Sequence, residues 1–251
     1  MTTVTSTPIS VASPGRTSQE WQNAYGFAAL KNDGSVVTWG TYLDIRPEAK
    51  QNLQCNVKQI FSNISAFAAL KNDGSVVTWG DPYASYDSRL NSGVQQIFST
   101  QSAFAALKND GSVITWGNGS GVDSSRVTSK LKSGVKQVFS TSVDFAALKD
   151  DGSVVTWGNG YAGDSSSVGD KLKSGVKQIF STYTAFAALK DDGSVITWGG
   201  SGGNSSSVSD KLKSGVKQIF SSSNTFAALK DDGSVVTWGD SSSGGDSSSV
   251  S

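Results

Sequence analysis

Apolar and polar residues alternate in short runs along this chain, and the runs recur with nearly constant spacing. In the representative unit 176–215 the runs are VKQIFS at residues 176–181, FAALK at 186–190 and SVITWG at 194–199. Short alternating runs rich in Val, Ile, Phe and Trp are typical of β-strands. The pattern therefore predicts three antiparallel strands in each unit.

The segments between these runs carry turn residues. Asp191-Asp192-Gly193 separates the second and third runs, and Asp-Gly between two strand-like runs indicates a hairpin because Gly tolerates a positive φ. After the Trp-Gly pair, SSSVS at residues 205–209 predicts a weak fourth strand. Glu, Leu and Met are scarce in the unit, which disfavours helices.

The unit is written six times, so the chain is an array of repeats rather than an ordinary single-core domain. A period of about 40 residues with three or four short strands is typical of β-propeller blades. We therefore expect an all-β, six-bladed β-propeller in which each small sheet buries its faces against its neighbours. The six core motifs lie at residues 27–40, 67–80, 104–117, 145–158, 186–199 and 226–239.

The two ends of the chain predict how the ring closes. We expect one domain over residues 1–251, with an N-terminal segment at 1–20 that contributes a closing strand at 4–10. Trp21 stands where later copies have Phe, which predicts a degenerate first strand at 18–23. Strand exchange between the termini would remove exposed sheet edges. A longer or seven-bladed array is the alternative, because the last copy stops before its connecting segment.

Composition narrows the classes of partner. Lys and Arg number 21, as do Asp and Glu, and there is no basic run, which argues against nucleic acid. No apolar stretch reaches the ~18 residues that would suggest membrane insertion. The first residues, MTTVTSTPISVASPG, lack a secretory leader. The location stays open between the cytoplasm, export by a non-classical route, and export as part of an assembly.

Little in the sequence points to catalysis. Histidine is absent, which removes the commonest general base and metal ligand, and the single Cys55 excludes an internal disulfide. The Asp-Gly turns lack the several converging oxygens of a calcium site. We therefore expect no catalytic residue, no metal, no cofactor and no enzyme activity.

The phrase AALKxDGSVxTWG, preceded by VKQIFS, resembles the repeat of the regulator of chromosome condensation family. The likeness covers all six copies and implies a β-propeller, although the family's founder has seven blades. The family's His before the Ala-Leu strand is missing here, and Ser-rich segments such as GDSSSV at residues 163–168 replace its Gly-Gln-Leu-Gly. The founder promotes nucleotide exchange on a small GTPase, but no segment here matches the loops responsible. The resemblance therefore implies fold and not activity.

One Trp closes each core motif, beside Gly at the end of a strand. Such residues could form a ring of sugar-stacking platforms. Their invariant place favours packing in the blade core, since Trp is a large apolar group. These residues are Trp39, Trp79, Trp116, Trp157, Trp198 and Trp238.

The six copies differ in two windows. The first window lies between VKQIFS and FAAL, and the second follows Trp-Gly. Antiparallel strand order places both windows at one end of the blades, which suits recognition through loops on a rigid frame. Tyr is frequent in these windows and at recognition surfaces. The candidate binding-face residues are Tyr25, Tyr42, Ile64, Tyr83, Gln101, Val143, Asp144, Tyr161, Tyr183 and Asn224.

The leading hypothesis is a non-catalytic module that binds a protein or glycan through this face. The alternative is a structural component of a larger assembly such as a surface layer, an appendage or a virus particle. Free variation of loops that packing does not constrain also remains open as an explanation of the differences. The oligomeric state is not predicted.

Overall fold

The computed structural model describes residues 22–41, 43–81 and 87–246. Strands dominate these residues, and one short α-helix, α1, covers Pro47–Asn52. The strands are β1 Gly26–Leu30, β2 Val36–Gly40, β3 Val57–Ser62, β4 Ala66–Lys71, β5 Val76–Gly80, β6 Val94–Ser99, β7 Ala103–Lys108, β8 Val113–Gly117, β9 Val135–Ser140, β10 Phe145–Lys149, β11 Val154–Trp157, β12 Val176–Ser181, β13 Ala185–Lys190, β14 Val195–Gly199, β15 Val216–Ser221, β16 Thr225–Lys230 and β17 Val235–Gly239.

The strands form six antiparallel sheets in sequence order. Each sheet after the first has three strands in the order first, second, third, as in β12-β13-β14, and β1-β2 form a two-stranded sheet. The second strand pairs in the same register in every copy, with Phe186 opposite Trp198 in the fifth. The three predicted strands of the repeat and the hairpin between its second and third strands are confirmed in blades two to six, the first blade shows that hairpin, and the architecture is that of a six-bladed propeller.

Ring closure involves parts of the chain that the structure does not describe. The predicted closing strand at 4–10 and the C-terminal residues 247–251 lie outside the described residues, as does most of the predicted strand at 18–23. Gln22 and Asn23 are described and are not in a strand. Closure by strand exchange therefore stays a prediction.

The predicted fourth strand is wrong. The segment from Ser206 to Leu212 is a 3-10 helix, and Asn204 Oδ1 accepts a hydrogen bond from the Ser206 N–H just before it. Leu212 is buried and Val208 packs beside it in an apolar cluster. Short polar side chains that form hydrogen bonds with the nearby backbone favour such turns over strands. Val208 and Leu212 then pack this turn against the sheet.

α1 also departs from the expectation of a chain without helices. It lies in the connection to the second blade, where PEAKQN replaces the Ser-rich segment of other copies. Pro47 and Glu48 lie in the first turn of this helix, and Lys50 lies in its last turn. This arrangement suits a helix because Pro fits the first turn and the charges oppose the helix dipole.

Neighbouring blades pack face to face through a repeated seam. One face of each sheet, here named the Leu face, carries the Phe of VKQIFS, alternate Ala and Leu of FAALK, and the first Val of the third strand. The opposite Trp face carries the Phe of FAALK and the Trp. Between the second and third blades, Phe61 and Leu70 of a Leu face meet Phe104 and Trp116 of a Trp face. Five such seams are found among the described residues.

Candidate recognition face

The two variable windows lie at the same end of the blades, here named the recognition face. In five blades the residue after Trp-Gly donates its N–H to the carbonyl two residues before the Phe of FAAL. These bonds, 2.8–3.2 Å long, run from Thr41 to Tyr25, Asp81 to Ser65, Asn118 to Ser102, Gly200 to Thr184 and Asp240 to Asn224. The strand order predicted this convergence, and the hydrogen bonds confirm it.

Backbone hydrogen bonds between consecutive blades fix the first window. At the third position before the Phe of FAAL, each N–H donates to the carbonyl of the equivalent residue in the next blade. This series, here named the inner ladder, has N···O distances of 2.7–3.0 Å and links Ala24, Ile64, Gln101, Ser142, Tyr183 and Ser223 in that order. Because every blade contributes to the ladder, its side chains project from one common frame.

A polar and aromatic pair forms on this ladder. The Gln101 side-chain amide donates to the Tyr183 hydroxyl, although a whole blade separates the two residues. The contact indicates that ladder residues surround a common axis, since side chains from the third and fifth blades reach each other across the fourth. Ile64 is half-buried, and Tyr183 is 38% exposed. The structure therefore brings Ile64, Gln101 and Tyr183 into one inner group.

The remaining predicted residues are spread more widely. Tyr161 follows Trp-Gly in the fourth blade and is 80% exposed, and Tyr25 is 45% exposed. Val143 and Asn224 are half-buried in their first windows. Tyr42 and Tyr83 lie outside the described residues. Tyr161 and Tyr25 thus offer aromatic surface at the recognition face, apart from the inner group.

The prediction of Asp144 as a binding-face residue is wrong, because its side chain is fully buried. Its carboxylate accepts hydrogen bonds from the Gly160 N–H at 2.7 Å and the Ala162 N–H at 3.0 Å. Burial raises the pKa of this carboxyl group, although the N–H donors act in the opposite direction. Through these hydrogen bonds Asp144 holds the second window against the first. Its buried side chain is not available to a partner. The other copies have Ala, Gly or Thr here, so sequence comparison could not separate a contact residue from a loop anchor.

A set of short polar residues that the sequence reasoning did not single out shapes the first window. Thr100 Oγ1 accepts the Ala103 N–H at 3.0 Å, and Asn63 Oδ1 accepts the Ala66 N–H at 2.7 Å. Both residues are buried. The signal was present, because Asn, Ser or Thr directly follows the first strand in copies two to six, and such residues favour turns of this kind.

The Trp side chains are buried in five blades. Trp79, Trp116, Trp157, Trp198 and Trp238 are 1–4% exposed. Each ring packs against the Phe of its own blade with centroids 5.2–5.4 Å apart. Trp39 is a correction, because it stacks on Phe27 in the same way but is 52% exposed. Trp39 lies in the first blade, and among the described residues no Leu face packs against the Trp face of that blade.

The opposite end of the blades, here named the turn end, is uniform. In every copy the Asp before Gly accepts hydrogen bonds from the N–H and hydroxyl of the following Ser, as between Asp33 and Ser35 at 2.9 and 2.6 Å. These bonds lower the pKa of Asp33 to about 2. No group of three metal-ligating His, Cys, Asp or Glu side chains occurs in the described part of the chain, and none of its helices is long and apolar enough to cross a membrane.

Comparison with known proteins gives a family repeat and a fold. The sequence model of the regulator of chromosome condensation (RCC1) repeat matches residues 216–244, which hold the strands of the last blade. No curated protein sequence matches the chain.

Three solved structures are similar to this one. Yeast RCC1 (Prp20) bound to Kap60 has a TM-score of 0.50 at 17% identity, over 87% of this chain and 69% of that chain. Prp20p from Saccharomyces cerevisiae has a TM-score of 0.45 at 16% identity, over 88% and 66%. The ectodomain of the Physcomitrella patens receptor kinase CR4 has a TM-score of 0.47 at 15% identity, over 86% of this chain and 60% of its own length. The family model thus matches one repeat of this chain, at residues 216–244, and the similarity to the yeast RCC1 structure supports a β-propeller fold.

Proposed function

We propose that this chain is a non-catalytic recognition module that binds a protein or glycan partner through the recognition face. The observation that carries the proposal is the inner ladder, which holds one equivalent backbone position in each blade by a hydrogen bond to the next. A rigid scaffold of this kind lowers the entropy cost of ordering a binding surface.

Dissimilar side chains on this fixed frame give the face its chemistry. Ile64 supplies apolar surface, Gln101 an amide and Tyr183 an aromatic ring with a hydroxyl, all at the same position of their blades. A mixed group of aromatic, amide and aliphatic side chains suits a partner with both apolar and hydrogen-bonding groups. The exposed ring of Tyr161 enlarges this surface at the second window.

Two further observations support this proposal. Yeast RCC1, which has a similar fold, was solved bound to Kap60. The Asp144 carboxylate, an acidic group buried beside the recognition face, has both oxygens engaged by backbone N–H donors. That use is structural, and it holds the second window of the recognition face against the first.

The test is a paired binding screen with variants of the inner group. The immobilised chain is screened against a glycan array and in cross-linked pull-downs, and each ligand is then titrated against Tyr183→Ala and Gln101→Ala. We expect each variant to weaken binding by about tenfold, the loss typical of an important interface residue. Asp191→Ala at the turn end is the matched control, because its side chain is exposed at the opposite end of the same blade.

The outcome separates recognition from free variation of the loops. Loss of binding in both inner variants, with unchanged thermal melting and a normal control, supports the proposal. A ligand that binds all variants equally, or equal losses in the Asp191 control, would place binding elsewhere and contradict it. Absence of any ligand in both screens also counts against it.

A structural component of a larger assembly is the second candidate function. The observation that favours it is the exposed apolar surface on the first and last blades, where Phe27 and Phe220 are 64% and 51% exposed. Contacts there would be lateral and would not use the recognition face. Loss of assembly with unchanged ligand binding in variants of these two residues would support this role.

A further inference from the structure

Two Asn-Gly steps with the same local sequence lie in the second windows of neighbouring blades. The pentapeptide TWGNG occurs at residues 115–119 of the third blade and again at 156–160 of the fourth. Asn118 and Asn159, the Asn residues of these steps, are both exposed. An Asn-Gly step can convert spontaneously to Asp, because Gly has no side chain to shield its nitrogen from the amide carbon of the preceding Asn. The two steps have nearly the same intrinsic reactivity, so a difference between them reports the fold.

In the third blade the fold directs the Gly119 nitrogen at the Asn118 side chain. The Gly119 N–H donates to Asn118 Oδ1 at 2.7 Å. Since Asn118 Cγ is bonded to that oxygen, the Gly119 nitrogen and this carbon lie at most about 3.9 Å apart. That separation is close to the ~3–3.5 Å from which such an attack begins. The Ser102 carbonyl holds the Asn118 N–H at 2.8 Å, so only a rotation of the exposed side chain is needed to bring the reacting atoms into contact.

In the fourth blade a buried carboxylate holds the equivalent nitrogen. The Gly160 N–H donates to Asp144 at 2.7 Å, and the Ala162 N–H donates to the other carboxylate oxygen at 3.0 Å. Attack on Asn159 would break a hydrogen bond to a charged group, which is roughly twice as strong as one between neutral groups. The carboxylate also opposes loss of the proton from the Gly160 nitrogen, because a second negative charge would form beside it. The third blade has Ala103 at this position, so Asn118 lacks this protection.

The six Asp-Gly turns, which could cyclise in the same way, are protected as well. In each turn the Gly N–H donates to the carbonyl of the Lys three residues earlier, at 2.9–3.0 Å. Hydrogen bonds from the following Ser hold the pKa of each Asp below its usual value, and an ionised carboxylate is a poor electrophile. All eight Asn-Gly and Asp-Gly steps lie in the described part of the chain, and of these Asn118-Gly119 is the one whose Gly nitrogen faces the preceding side chain.

We propose that Asn118 is a site of spontaneous deamidation that adds a negative charge to the recognition face. The Gly119 nitrogen loses its proton to water and bonds to Asn118 Cγ, while the side-chain nitrogen takes up a proton and leaves as ammonia. One water molecule then opens the five-membered imide, giving Asp when it attacks Cγ and isoaspartate when it attacks the main-chain carbonyl carbon. The reaction consumes one water and releases one ammonia, and nothing is oxidised or reduced.

The two identical pentapeptides allow a test within the unmodified chain. Peptide mapping by mass spectrometry, during incubation of the folded chain near neutral pH, should show Asn118 deamidating at least about tenfold faster than Asn159, because a hydrogen bond to a charged group shifts an equilibrium by about that factor. Unfolding in urea is the control, and it should make the two rates nearly equal. Isoaspartate among the products identifies the imide route, because direct hydrolysis of the amide yields Asp alone.

One variant tests the protection by Asp144. Asp144→Ala gives the fourth blade the residue found in the third, and it should raise the Asn159 rate towards that of Asn118 while the Asn118 rate stays the same. Equal rates at the two sites of the folded, unmodified chain would overturn the proposal. An Asn118 that stays intact in the folded chain while it reacts in urea would overturn it too. Both of these comparisons hold whether or not Asp144→Ala folds.

Discussion

Two equivalent Phe residues occupy different environments in this chain, so truncating each of them measures how much burial in a seam stabilises the fold. Phe186 and Phe27 both begin the sequence FAALK, and each stacks on the Trp of its blade with ring centroids 5.4 Å apart. Phe186 is fully buried, whereas Phe27 is 64% exposed. The stacking contribution therefore nearly cancels between Phe186→Ala and Phe27→Ala, and the difference reports burial in the seam.

The expected magnitudes follow from these exposures. Truncation of a buried Phe costs about 3–5 kcal/mol, which combines lost transfer free energy with the cavity left behind. Full burial of such a side chain is worth about 1.5–3 kcal/mol. Phe27 is roughly one-third buried, so its truncation should cost only about 0.5–1 kcal/mol and leave no closed cavity.

Urea unfolding followed by circular dichroism measures the comparison at protein concentrations too low for self-association. The free energy of unfolding should fall several times more for Phe186→Ala than for Phe27→Ala, with similar m values. Equal losses in the two variants would refute the reasoning, because they would show that the chain itself covers the first-blade Trp face. Phe226→Ala, in another buried copy, provides a second reference.

Two further perturbations use the same matched design. Gly193→Ala and Gly233→Ala both place a side chain at a positive φ, a strain of about 1–2 kcal/mol, but only the former meets the next blade's backbone. Gly193→Ala should therefore be the less stable variant in urea. Equal stabilities would contradict the open space found beside Gly233. Hydrogen bonds from Ser35 hold the pKa of Asp33 at about 2, below its usual 3.8. This contribution to stability should be present above pH 3.8 and lost as the pH falls through about 2. Ser35→Ala, which removes the hydroxyl donor and keeps the backbone N–H, should raise the Asp33 pKa in an NMR titration, and an unchanged value would exclude the hydroxyl hydrogen bond as a main cause.

The sequence was informative about the fold because each strand pattern and each turn signal occurs in six copies. The hairpin at Asp192-Gly193 and the strands beside it follow from turn chemistry and alternation, and both are confirmed. The segment at 205–209 was misread because one Val among Ser residues fits a weak strand as well as a turn. The 3-10 helix combines local hydrogen bonding, as between Ser206 and Asn204, with the packing of Val208 and Leu212 on the blade, and the second of these depends on tertiary contacts that the local sequence does not contain.

The candidate site was only partly predictable for a related reason. Antiparallel parity is a local property, so it placed both windows at one end of the blades. Burial depends on the neighbouring blade, as expected for repeat proteins in which each unit contacts the adjacent units. The sequence presents Trp39 and Trp198 in nearly identical motifs, yet one is half exposed and the other buried. Asp144 likewise differs from an exposed contact residue only through its backbone partners.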